Sequence, residues 1–214
     1  RGAIDAASYG RARCDRPLGL GAMNEPFRIL VICSGNRCRS PLAEFYLRHA
    51  LAGLPVEVSS AGTLDIGPAD VPPEMTTVAS AMGLDLSAHR ARPLGSLKGE
   101  NVDLILGMER HHVAAAVVDA GLPADKTFTL AELARLLGPL APPDRTADPV
   151  ADARAIVAAA AARRAAAPTF VPHEDVTDPF GRSKKTYQKV AGRVVELCNE
   201  VAHGLFGVAP PSVA

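Results

Sequence analysis

The sequence is poor in several things at once. Its 214 residues hold four cysteines, six phenylalanines, three tyrosines and no tryptophan. Four cysteines are too few for a disulfide scaffold of this size. So few aromatics make no stacking platform for single-stranded nucleic acid. Net charge is absent as well, because 23 Lys and Arg offset 23 Asp and Glu, which removes any general pull toward nucleic acid or an anionic membrane. The longest Ala/Ile/Val stretch, Ala155–Ala162, runs into Arg163 and Arg164, far short of the ~20 apolar residues that a membrane span needs. Residues 1–22 carry Arg1, Arg11, Arg13 and Arg16 but no continuous apolar segment, a poor match to a secretory leader. A cytoplasmic protein is expected, with neither nucleic acid nor membrane insertion among its partners.

What is present excludes disorder: 48% of residues are hydrophobic and 21% charged. The compact domain is expected to span 23–207, with 1–22 a flexible extension and 208–214 a tail. Phe27–Cys33 is a β-branched apolar run, read as a strand buried on both faces. Further strands are expected at Val56–Ser59, Val102–Met108 and Lys126–Leu130. Helices are expected after Ser40 as N-cap with Pro41 at the first helical position, and at Pro72–Met82, Glu109–Ala120, Ala131–Leu137, Val150–Ala166 and Ser183–Phe206. In the first helix Leu42, Phe45, Tyr46 and His49 share a face. In the last, Val190, Val194, Leu197 and Val201 form an apolar stripe. The Ala-rich helix at Val150–Ala166 shows little to anchor it. Strands alternating with helices give an α/β fold, a single doubly wound four-stranded parallel sheet flanked by helices on both faces. Ligands in such sheets bind at the carboxyl ends of the strands, where the first strand delivers Cys33.

The loop that follows, Cys33-Ser34-Gly35-Asn36-Arg37-Cys38-Arg39-Ser40, carries the chemistry. Backbone N–H groups of a loop between a buried strand and a helix N-terminus can converge on one point, where the helix dipole adds positive charge. Arg39 adds a planar fork matched to two phosphate oxygens. A tetrahedral dianion would sit in this cradle with the Cys33 sulfur at its base, and the same fields favour that sulfur as an anion. Two Asp-Pro pairs compete as general acid. Asp178-Pro179-Phe180 supplies a ring beside the acid, whereas Asp148-Pro149-Val150 does not. Asp175 is a weaker neighbour. His111-His112 reads as a solvated helix face, and no His or Cys pair has metal-binding spacing. No Gly-Lys-Ser/Thr phosphate loop is present.

The stretch Val31–Pro41 resembles the active-site loop of the low-molecular-weight protein tyrosine phosphatases. The likeness extends to Ser59-Ser60-Ala61-Gly62-Thr63, Ser87-Ala88-His89-Arg90-Ala91-Arg92, Asp103-Leu104-Ile105-Leu106 and Asp178-Pro179-Phe180-Gly181, in family order across about 27–206. The resemblance implies a phosphomonoester hydrolase acting through a phosphocysteine, with no metal, no cofactor, and a phosphotyrosine protein such as a tyrosine kinase or its target as substrate. A monomer is expected. By position Cys33 would be the nucleophile, Arg39 the phosphate clamp, Ser40 the thiolate stabiliser and Asp178 the acid. Asn36, Ser60 and His89 would hold the loop, and Phe180 would stand at the pocket rim. Arg37 departs from the aliphatic residue usual in tyrosine phosphatases and from the Thr of members acting on phosphoarginine. Leu64-Asp65-Ile66 lacks the aromatic that many members place opposite the ring. Residues 138–174 form a longer Ala/Pro-rich insertion than in compact members. Cys38 could trap an oxidised Cys33 as a disulfide. The alternatives are an arsenate reductase on the same fold, for which Cys198 and Cys14 make unsuited relays, and a phosphate-binding module without turnover.

Overall fold

The computed structural model describes residues 25–97, 101–140, 148–166, 171 and 174–211. The expected extension at 1–22, much of the loop at 138–149 and the end of the tail fall outside the described residues. The first strand, β1, is Phe27–Cys33; then come α1 (Arg39–Ala50), β2 (Val56–Gly62), α2 (Pro73–Ser80), β3 (Leu104–Gly107), α3 (Arg110–Ala114), β4 (Thr127–Thr129), α4 (Leu130–Leu137), α5 (Pro149–Ala166) and α6 (Lys184–Phe206). The four strands lie parallel in the order β2-β1-β3-β4. Crossing from β2 to β3 over β1 reverses the direction of winding, and that reversal places the end of β1 at a topological switch point.

Alternation along the strands splits the core. Ile29, Val31, Leu104 and Leu106 face a large cluster formed with α1, α2, α4, α5 and α6. Leu30, Ile32 and Ile105 face a smaller one closed by Leu94, Leu97 and Ala116. Helical cover is therefore present on both sides, as expected, but unequally.

Several local expectations are corrected. Ser40 is not the N-cap of α1: the helix starts at Arg39 after Cys38, which makes no side-chain cap, because the Ser40 hydroxyl is engaged with Cys33. The buried face of α1 is Leu42, Ala43, Tyr46 and Leu47, while His49 is exposed. β2 runs on past Ser59 to Gly62, and β3 is shorter than Val102–Met108. The helix after β3 gives way at Ala115 to a π-helical turn, Ala115–Asp119. Far from lacking anchors, α5 buries Val150, Ala153, Val157 and Ala160.

Candidate active site

Parallel pairing aligns Cys33, at the end of β1, with Gly62 at the end of β2. The chain then turns through Ser34–Cys38 into α1. Two bonds tie the turn to the neighbouring strand's continuation: Thr63 N–H donates to the Cys33 carbonyl and Leu64 N–H to that of Ser34, each at 2.9 Å. Among the described residues, the backbone N–H groups of Ser34 through Cys38 reach no protein acceptor. Those of Arg39 and Ser40, in the first turn of α1, have no intrahelical partner. A run of free amides at a strand-to-helix junction is an anion site in waiting.

The loop keeps its shape through a buried network centred on Asn36, whose φ of 49° lies in the left-handed region. Its amide donates to Ser40 Oγ at 2.9 Å and to Ser60 Oγ at 2.7 Å. Its side-chain oxygen accepts the Arg92 N–H at 3.1 Å, and its carbonyl takes a hydrogen bond from His89 Nε2 at 2.8 Å. With its lone pair turned to Asn36, Ser40 aims its own proton at Cys33 Sγ, 3.0 Å away. Ser60 in turn donates to Glu44, which Arg48 holds at 2.5 Å. Burial holds His89 below its usual range, against the opposing pull of Asn36 and Glu44.

Arg39 is only 1% exposed. Its Nη1 pairs with Glu109 and donates to the Val176 carbonyl at 2.8 Å, while Nη2 reaches Asp178 Oδ2 at 2.6 Å and Ser34 Oγ at 3.5 Å. Its Nε is buried without a partner. An orphaned guanidinium donor beside unpaired amides fits a tetrahedral oxyanion and leaves that donor costly otherwise. Asp178 Oδ1 accepts the Phe180 N–H at 3.0 Å, which fixes the Asp-Pro-Phe turn. Asp148 instead caps α5 by accepting from Val150 and Ala151, and Asp175 accepts from Arg110.

Cys33, Ser34, Gly35, Arg37, Cys38, Arg39, Leu64, Ile66, Asp178 and Phe180 line one cleft of about 220 Å³. Leu64, Ile66 and Phe180 are three of the four exposed large hydrophobics among the described residues. An apolar rim over a polar floor suits an aryl group bearing an anion. Arg37 does not block this slot. Its guanidinium stacks 5.0 Å from the Phe180 ring centroid, and its Nε donates to the Asp70 carbonyl at 2.9 Å. The cleft thus gathers Cys33, Ser34, Gly35, Arg37, Cys38, Arg39, Asp178 and Phe180, with Asn36, Ser40, Ser60 and His89 directly behind.

Three contributors went unread in the sequence. His112 is fully buried, not a solvated face: its Nδ1 accepts the Glu109 N–H and its Nε2 meets Ser34 Oγ, both at 3.0 Å. Burial, with His111 and Arg39 nearby, pushes it down to about 3, so it is neutral. Since Nδ1 accepts, Nε2 carries the hydrogen and donates to Ser34. Glu109 holds Arg39, and Glu44 anchors Ser60. The Glu109-x-x-His112 spacing after a strand is a capping-box signature that could have revealed the first pair. Glu109, His111 and His112 are also the one cluster among the described residues with metal-like spacing. The Glu109 carboxylate is taken by Arg39, and both His112 nitrogens are already committed.

Cys33, Cys38 and Cys198 are free thiols. Burial and the neighbouring Cys33 push Cys38 up to about 12, so it stays protonated. Cys198 is fully buried in α6, which also raises it. Cys14 lies outside the described residues. No helix among the described residues is long and apolar enough to cross a membrane.

Comparison with known proteins agrees with this geometry. The sequence model of the family described as low molecular weight phosphotyrosine protein phosphatase matches residues 28–136, about half of the chain. Among curated relatives, the low molecular weight protein-tyrosine-phosphatase Etp of Escherichia coli K12 is 39% identical over 100 residues, 47% of this chain and 66% of its own, just under two thirds of that relative. A low molecular weight protein tyrosine phosphatase from T. tengcongensis superposes with a TM-score of 0.59 at 27% identity, covering 83% of this chain and 98% of the other. The YwlE arginine phosphatase from Geobacillus stearothermophilus gives 0.58 at 26% identity, covering 84% and 93%. Asp178 lies beyond the residues of the family match and stands on the geometry above. The chain belongs to the low molecular weight phosphotyrosine protein phosphatase family.

Proposed function

We propose that the protein hydrolyses phosphomonoesters, with phosphotyrosine in proteins as its substrate. A single observation carries the reading: Cys33 and Arg39 line one cleft, the buried Nε of Arg39 has no partner among the described residues, and the amides of the intervening Ser34–Cys38 loop are free as well. In the first step the Cys33 thiolate attacks phosphorus in line and the phosphorus–oxygen bond to the leaving group breaks. Ser40 steadies the sulfur, and the loop amides with Arg39 stabilise the three equatorial oxygens. The incoming dianion draws the Arg39 fork off Asp178. That frees Asp178 to take up a proton from solvent and pass it to the leaving oxygen, because a phenolate of pKa ~10 leaves far better protonated. In the second step the Asp178 carboxylate takes a proton from water as that water attacks the phosphocysteine, releasing phosphate and the thiolate.

The apolar rim of Leu64, Ile66 and Phe180 favours an aromatic leaving group. Arg37, as a cation at the slot, disfavours a phosphorylated guanidinium. A buried Cys198 gives no electron relay to the surface, which weighs against arsenate reduction. The reading extends to a monomeric, cytoplasmic enzyme that needs reduced thiols and acts on a tyrosine kinase or its target, with 23–207 as the phosphatase domain.

The test is a leaving-group series of aryl phosphates. Cys33→Ser is expected to lower kcat at least ~10⁴-fold, to the level left by binding alone. Asp178→Ala is expected to cost ~10²–10⁴-fold on poor leaving groups and little on good ones. Turnover unchanged by Cys33→Ser overturns the nucleophile, and an equal loss across the series moves the acid elsewhere.

A further inference from the structure

Between Phe180 and Val195 the sequence contains Arg182, Lys184, Lys185, Lys189 and Arg193 and no acidic residue, in a chain of zero net charge. Elsewhere in the structure cations commonly meet carboxylates: Arg28 pairs with Glu25 and Glu57, Arg90 with Asp70, Arg135 with Glu174 and Arg154 with Asp103. On α6 this pattern is broken at the lysines. Arg193 reaches Glu196 at 2.7 Å, whereas Lys185 and Lys189 meet no carboxylate among the described residues.

Lys185, Lys189 and Arg193 recur every four residues and so share one face of the helix. They line a groove of about 540 Å³ together with Asp175, Val176 and Thr177, and with the hydroxyl-bearing Ser183 and Thr186. The charge of Asp175 is already directed at the N–H and guanidinium of Arg110. The groove adjoins the active-site cleft through one continuous segment, since Thr177 lines the groove and Asp178 the cleft.

Lysines on an exposed helix usually do no more than face water. Here they line a concave surface with hydroxyl groups, lack carboxylate partners among the described residues, and share that surface with Thr177, the residue before Asp178. We propose that this groove seats the acidic flank of the substrate: carboxylate or further phosphate groups within about five residues of the phosphotyrosine. An extended chain covers ~3.3–3.6 Å per residue, so five residues reach ~17 Å. The inference rests on the phosphotyrosine reading and deepens it by naming the substrate's sequence character. Recognition by exposed charges acts on encounter and on KM, and salt weakens it.

The test uses the full chain in two assays. Binding of phosphotyrosine peptides to the Cys33→Ser protein reads the groove without turnover, while hydrolysis of a small aryl phosphate by the unmodified protein reads the chemistry alone. A peptide with Asp and Glu flanks is expected to bind about 3- to 30-fold more tightly than the same peptide with Ala flanks, as two exposed ion pairs allow. The gap should close at high salt and in the Lys185→Glu/Lys189→Glu variant. The same pair of changes, with Cys33 intact, should leave aryl phosphate turnover within about twofold. Equal binding of the two peptides, or a preference that survives the double variant, overturns the groove and leaves the phosphatase reading standing. Failure of the unmodified protein to turn over any aryl phosphate overturns that reading instead, and the peptide preference is still measured. Should the unmodified protein, but not the double variant, sediment with phosphatidylserine–phosphatidylcholine vesicles while showing no peptide preference, the stripe belongs to a membrane surface and the inference is overturned.

Discussion

Asn36 shows how much one side chain can hold. It is the non-glycine residue at positive φ among those described, and its side chain makes three hydrogen bonds that set the directions of Ser40 and Ser60. Asn36→Ala is expected to cost about 3 kcal/mol in urea unfolding, with ~1 from placing Ala in the left-handed region and the rest from lost and orphaned bonds. Asn36→Gly should recover only the ~1 kcal/mol of backbone strain. Both should lose roughly 10²-fold in kcat, because Ser40 is no longer aimed at the sulfur. Full recovery by Gly would show that the backbone alone matters. Residues of this site divide by how they are coded. Cys33, Arg39 and Ser40 are legible because the loop is contiguous and its spacing is the chemistry. Asp178 is legible from its Pro and Phe neighbours. Glu44, Glu109 and His112 reach the site across the fold, through Ser60, Arg39 and Ser34, and an acid or histidine on a helix looks solvated until such a partner is placed beside it.

At the scale of elements, β2 matters for the site through its end. Reading Val56–Ser59 as the whole strand missed the three residues that carry it under the loop, since Ser60 and Gly62 have no strand-like hydrophobicity. At Gly62 a Cβ would lie 2.7 Å from the Ser34 carbonyl oxygen, 3.0 Å from the Asn36 nitrogen and 3.1 Å from the Gly35 carbonyl carbon. All three are backbone atoms of the Ser34–Cys38 loop, so no rotamer change relieves the overlap. Gly62→Ala is therefore expected to cost about 1–3 kcal/mol and to displace the loop, with aryl phosphate turnover falling roughly 10²-fold. An unfolding midpoint and kcat both at the unsubstituted values would contradict this close approach. The helix α5 was legible as a helix, but its buried face was not, for a different reason. Its buried positions Val150, Ala153, Val157 and Ala160 follow helical spacing, but Ala158 and Ala159 are exposed. Alanine on every face leaves no contrast for periodicity to reveal, although small buried residues let the helix lie close to its neighbours.

For the whole molecule, the parallel order β2-β1-β3-β4 brings loops from three separate stretches of chain onto Cys33, and two buried histidines stand at those joins. His89 links the segment before β3 to Asn36, and His112 links α3 to Ser34. Burial is the largest cause holding both below the ordinary histidine range, His112 at about 3. A depressed folded value means that the unfolded chain binds more protons below pH ~6.5. The stabilisation from keeping these rings neutral is therefore complete above pH ~6.5 and drains away as pH falls toward the folded values. In that window the His112 ring removes up to about 1.4 kcal/mol per pH unit, so it should cost about 2 kcal/mol between pH 6.5 and 5. His89 adds to the loss in the same direction. Urea unfolding at pH 7 and pH 5 checks this, with His112→Asn as the comparison. The substitution removes the titrating ring, so the slope of stability against pH should flatten by about 1.4 kcal/mol per unit, whatever the variant's absolute stability. An equal slope in both proteins would mean that His112 takes up its proton within the folded state. In that case the ring would not be the fixed donor that holds Ser34 beside Arg39.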